Sequence, residues 1–130
     1  MSLAHSAVAL LLPISDADRA REFYGQRLLL PFVGVDAEGS LRYRLGGGSE
    51  LLLLHRPDQR PSEGTTLSFE VDDIESEVAA LEERGVVFED YDLPDLKTIG
   101  HICNLATGKA AWFTDPDGNI LCVHQPIPPG

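Results

Sequence analysis

Cysteine is scarce. Cys103 and Cys122 are the only two, too few for a disulfide framework, so both are expected to be reduced thiols in a cytoplasmic protein. Positive charge is also short: 10 lysines and arginines stand against 21 aspartates and glutamates, for a formal net charge of −11. Such a field repels phosphate backbones and anionic lipid surfaces, so neither nucleic acid nor membrane is expected as a partner, whereas cationic ligands are favoured. The apolar run Ala7–Leu12 is followed at once by Pro13, and it lacks the basic flank and the length of a signal or membrane-spanning segment. No Ser/His/Asp spacing, phosphate-binding loop, dinucleotide fingerprint or CxxC pair is found either, which leaves those chemistries without support.

What is present suits one globular domain. The chain has 130 residues, of which 43% are hydrophobic and 24% charged, ordinary values for a soluble protein with a real core. Ala7–Leu12, closed by Pro13, reads as a strand buried on both faces. Ser15-Asp16-Ala17-Asp18 starts a helix with Ser15 as cap, and Ala17, Ala20, Phe23 and Tyr24 share one face of it. Phe32–Val35, Leu41–Leu45 and Glu50–His55 then read as three strands separated by glycine-containing turns.

The order starts again after a linker of residues 57–63, which holds Pro57, Pro61 and Ser62. Thr65–Val71 is a strand, Asp72 or Asp73 caps a helix with Ile74, Val78 and Leu81 on its buried face, and Gly85 suits its left-handed end. Val86–Glu89, Ala110–Thr114 and Ile120–His124 follow as strands, the last two joined by the turn Asp115-Pro116-Asp117-Gly118-Asn119. Superposing Ile14-Ser15-Asp16 on Val71-Asp72-Asp73 gives a constant offset of 57, the mark of an internal repeat. The expected fold is α+β: two βαβββ modules, about 4–56 and 64–126, forming a curved mixed sheet around a central cleft. Residues 91–105, with Pro94, Gly100 and no clear period, read as a long connection, either a binding loop or a disordered one.

The motifs Pro13-Ile14-Ser15-Asp16 with Phe23-Tyr24, Phe69-Glu70-Val71-Asp72-Asp73, and Trp112-Phe113-Thr114-Asp115-Pro116-Asp117-Gly118-Asn119 together resemble the vicinal oxygen chelate superfamily of glyoxalases, bleomycin-resistance proteins and dioxygenases. The resemblance covers nearly the whole chain and suggests a homodimer. It also implies metal ligands of His, Gln or Glu type on the opening and closing strands of each half. The matching positions are Ala9 and Thr66, Leu52 and Cys122, which give a hard divalent cation neither carboxylate nor imidazole, so no metal or other cofactor is expected. A displaced set of Glu50, Cys122 and His124 would have to reach along about 6 to 7 Å of strand. Where related sequences carry Gly, this chain has Leu29. The first helix is therefore expected to avoid a left-handed end there and to break near Gly25.

Ala9, Leu52, Thr66 and Cys122 thus become candidate pocket-lining residues, with Cys122 read as a small buried hydrophobe. Trp112 is expected to offer a stacking face while Phe113 points the other way; core or dimer packing is the alternative for Trp112. Tyr91 and His101 are candidates for hydrogen bonding or proton transfer, or else solvated loop residues. Glu50 is the candidate catalytic base, because a carboxylate beside Leu52 and Leu54 would have a raised pKa, unless it is an exposed strand-start residue. His124, near the terminus, reads as a surface residue. The function expected is metal-independent binding of a small apolar or cationic molecule. The rivals are a glyoxalase-like lyase or dioxygenase-related enzyme, using a displaced metal or Glu50 as base, and a purely structural role.

Overall fold

A computed structural model describes residues 2–128, and the chain divides into two compact units, Met1–Pro61 and Ser62–Gly130. In the first unit β1 (Ala9–Ile14) lies parallel to β4 (Glu50–His55), which pairs antiparallel with β3 (Leu41–Arg44), itself antiparallel to β2 (Phe32–Val35). Alternation puts Leu12, Ile14, Leu41, Tyr43, Leu51 and Leu53 into the core, all at most 4% exposed. The first strand differs from the expected Ala7–Leu12. It begins two residues later, and Pro13 lies inside it, a position tolerated because β1 is an edge strand of its sheet. Nor is it buried on both faces, since Leu11 is 57% exposed.

The first helix, α1 (Ala17–Arg21), is capped by Asp16 rather than Ser15, the Asp16 carboxylate accepting from Arg19 N at 3.1 Å. It runs straight into a π-helical turn, Glu22–Arg27, in which Leu28 N donates to Phe23 O at 3.0 Å. Gly25 is inside this turn and breaks nothing. The chain leaves the turn through Leu29, whose φ of 57° is left-handed despite its Cβ, and Leu30 N closes the end on Tyr24 O. The expected avoidance of a left-handed residue at Leu29 is thereby overturned: the closing bond from Leu30 N to Tyr24 O fixes this conformation and outweighs the steric cost.

The second unit repeats the scheme with additions. Here β5 (Thr65–Glu70) is parallel to β11 (Ile120–Pro126), which is antiparallel to β10 (Gly108–Thr114). Between β5 and β6 (Phe88–Glu89) runs α2 (Ile74–Glu83), capped by Asp73 and burying Ile74, Val78 and Leu81. Gly85 follows with φ 91°. The stretch read as a long connection is ordered strand: β7 (Asp92–Leu93), β8 (Leu96–Ile99) and β9 (Ile102–Leu105) form a meander that extends the sheet from β10. Its turn Gly100-His101, between the paired Ile99 and Ile102, holds both residues at positive φ, 59° and 72°, the form favoured in two-residue hairpins.

The two units share one loop design. Asp36 Oδ1 accepts from Glu38 N and Ser40 N, both at 2.9 Å, while Asp115 Oδ1 accepts from Asp117 N at 2.9 Å and Asn119 N at 2.8 Å. A glycine at positive φ, Gly39 or Gly118, completes each.

Candidate ligand-binding faces

In the first unit, the side of the sheet opposite the buried residues carries Ala9, Leu11, Arg42, Glu50 and Leu52. Strand register sets Ala9 beside Glu50, and Leu52 between Leu11 and Arg42. Glu50 and Arg42 are diagonal neighbours, and the guanidinium grips the carboxylate with both arms, Nε to Oε1 at 2.9 Å and Nη2 to Oε2 at 3.1 Å. These hydrogen bonds hold the Glu50 carboxyl below its usual range, more strongly than partial burial raises it, and the charges of Arg42 and Arg44 add to the effect. The raised pKa expected of Glu50 is thus reversed. Alternation along β3 sets Arg42 on the face opposite the buried Leu41 and Tyr43, but only the register of β3 against β4 identifies its partner.

The second unit brings Trp112, Tyr91, Cys122 and Thr66 to the side of its sheet opposite α2 and separates His101 from them. Trp112 is half-buried, pairs in register with Cys122 and with Glu89, and meets Tyr91 edge to face at 5.8 Å between ring centroids. Phe113, one residue on, points into the core and packs on Phe88 at 5.4 Å. Tyr91 has its pKa raised, first by burial and then by the nearby Glu89 carboxylate. The Thr66 hydroxyl donates to Ile120 O at 3.0 Å. Cys122 is buried, and burial pushes its thiol up; such a thiol behaves as a small hydrophobe. Glu89 was missed in the sequence because its value lies in the pairing with Trp112, which no local pattern reveals.

His101 lies on the helix side. It stacks on Phe88 at 5.8 Å, with Nδ1 2.9 Å from Asp90 and Nε2 3.3 Å from Glu82 of α2. The Asp90 hydrogen bond raises its pKa, partial burial opposes this, and the charges of Asp90 and Glu82 add to it. His124 is not the surface residue expected. Its side chain is 14% exposed and pinned on both nitrogens, Nδ1 to Glu70 at 2.9 Å and Nε2 to Thr107 at 3.1 Å.

The family model of the Glyoxalase/Bleomycin resistance protein/Dioxygenase superfamily matches residues 3–123. The chain belongs to this superfamily. No curated protein sequence matches it. Among solved structures of superfamily proteins, an antibiotic binding protein, TnmS3 from Streptomyces sp. CB03234, is similar at 26% identity and a TM-score of 0.70, over 97% of this chain and 100% of that one. A glyoxalase/bleomycin resistance protein from the same Streptomyces is 27% identical, with a TM-score of 0.68 over 92% and 100% of the two chains. Lactoylglutathione lyase from Agrobacterium tumefaciens shares the fold, with a TM-score of 0.69 at 18% identity over 93% of each chain.

The superfamily's metal does not fit the residues at the matching positions. Ala9 and Leu52 have no donor atom, the Thr66 hydroxyl is engaged with a backbone carbonyl, and the Cys122 thiol is buried with a raised pKa. Among the described residues no three His, Cys, Asp or Glu side chains are grouped to hold a metal ion, and no helix is long and apolar enough to cross a membrane.

Proposed function

We propose that this superfamily member binds and sequesters a small apolar or cationic molecule without a metal, on the face that carries Trp112. The observation that carries the reading is the Trp112–Tyr91 corner, two aromatic rings at 82° to each other with Glu89 paired beside Trp112. Aromatic faces next to a carboxylate attract a flat cation through ring quadrupole and charge together. Similarity to an antibiotic binding protein at 26% identity supports a small molecule as the ligand. The lyase or dioxygenase reading has less support: Glu50, its candidate base, is bound by Arg42 and has a lowered pKa, which makes it a weak base. The same proposal takes the protein to be cytoplasmic, in keeping with two free buried cysteines, and a homodimer.

Trp112 is the sole tryptophan, so its emission reports directly on this face. Titration with a panel of planar aromatic cations and neutral polycyclic antibiotics is expected to quench it and to raise the melting temperature by mass action, and Trp112→Ala removes the melting shift. The reading fails if nothing in the panel does either, or if protein purified without chelator carries stoichiometric metal.

A further inference from the structure

On the helix side of the first unit, the face away from Arg42 and Glu50, a cavity of about 470 Å³ opens between the helix with its π turn and strands β2 and β3. Tyr43 forms part of its wall. Tyr43 is 1% exposed, and among the described residues nothing gives its hydroxyl a hydrogen bond; Gly25 lies opposite it, where an added Cβ would stand 3.9 Å away. The Tyr43 hydroxyl is not sealed from solvent, so it opens to the cavity and can donate to an acceptor that displaces water there. Burial raises the Tyr43 pKa and the charge of Arg21 lowers it, which places the guanidinium within electrostatic reach of the phenol.

Arg21 is the second free donor. Its guanidinium carbon sits 4.5 Å from the centroid of the Phe32 ring, and Phe32 in turn meets Tyr43 edge on at 5.4 Å. Among the described residues no carboxylate pairs with Arg21, whereas Glu22, one residue on, is already paired with Arg27 at 3.3 Å. The cation–π contact positions the guanidinium over the ring while its N–H fork has no carboxylate partner among the described residues, and a free fork of this kind suits a carboxylate. Leu30 and Phe32 supply apolar wall beside these two donors; Asp18 and Glu22 line the same cavity, the latter with its charge taken by Arg27. The π turn, Glu22–Arg27, forms the facing wall and sets Gly25 opposite the Tyr43 hydroxyl.

We infer that this cavity is a second ligand site, for a small carboxylic acid with an apolar body, its carboxylate held by Arg21 and Tyr43 and its body lying on Phe32 and Leu30. The inference is independent of the Trp112 reading, since it concerns other residues and another unit.

The test is an amide chemical-shift titration of the full chain with phenylacetate, run beside benzylamine, which has the ring but the opposite charge. Phenylacetate is expected to give saturable shifts over residues 18–32 and at Tyr43. Arg21→Gln should weaken binding about tenfold or more and Tyr43→Phe several-fold, as loss of a charge-assisted and of a neutral hydrogen bond predicts. Arg21 is exposed, so its variant reports on the site even where Tyr43→Phe disturbs the core. Absence of shifts at these residues, equal binding of benzylamine there, or wild-type affinity in Arg21→Gln would overturn the inference. Trp112 emission, read in the same samples, keeps the two sites apart.

Discussion

Arg42 and Glu50 face each other diagonally across β3 and β4 and are joined by two parallel hydrogen bonds, at 2.9 and 3.1 Å. The pairing depresses the folded-state pKa of Glu50 below its ordinary value of 4.5. Its stabilising effect is therefore complete above pH 4.5 and is lost as pH falls through the folded pKa. Carboxyl NMR titration should place Glu50 below 4.5 in the wild type and higher in Arg42→Met. An unchanged Glu50 titration in that variant would show that the pair is not what holds the carboxylate.

His101 has the opposite sign. Asp90 and Glu82 raise its folded-state pKa above 6.5, so the folded chain holds the proton more tightly than the unfolded one. That stability is fully present below pH 6.5 and is lost as pH rises through the folded value. Urea midpoints between pH 6 and 9 should fall more steeply for the wild type than for His101→Gln. Parallel curves would refute the linkage.

Leu29 occupies a left-handed conformation at φ 57° and is 60% exposed, so its side chain contributes little packing. Leu29→Gly is expected to stabilise the protein by about 1 kcal/mol, the steric penalty of a Cβ in that region. Equilibrium denaturation decides it, and a destabilised variant would mean that the side chain packs more than its exposure indicates.

Asp115 is 4% exposed, and its carboxylate accepts from Asp117 N, Asn119 N and Asn119 Nδ2. Asp115→Ala leaves those donors unpaired in a buried loop and should cost about 2–4 kcal/mol. The equivalent Asp36→Ala, in a more open loop with two such bonds, should cost about 1 kcal/mol. Equal losses measured by thermal unfolding would contradict the ranking by burial.

Local chemistry in the sequence carries much of the fold. Aspartates at 16 and 73 cap helices with the same spacing as the repeat, and Asp-x-x-Gly loops recur at Asp36 and Asp115, because capping and Asx turns need only residues a few positions apart. Alternation likewise placed Trp112 and Phe113 on opposite faces, as the structure has them.

Tertiary structure decided what depends on distant neighbours. Nothing near Glu50 in sequence announces Arg42, and nothing in residues 91–105 announces a meander whose strands are ordered by pairing onward from β10. The left-handed Leu29 and the π turn before it arise where the bond from Leu30 N to Tyr24 O closes the helix, against the preference of the residue itself. Propensity acts on one residue at a time, whereas strand register and packing set the partners that shift a pKa, open a cavity or impose a costly φ. For that reason residue types alone could nominate Glu50, His101 and His124, but not the environments in which they stand.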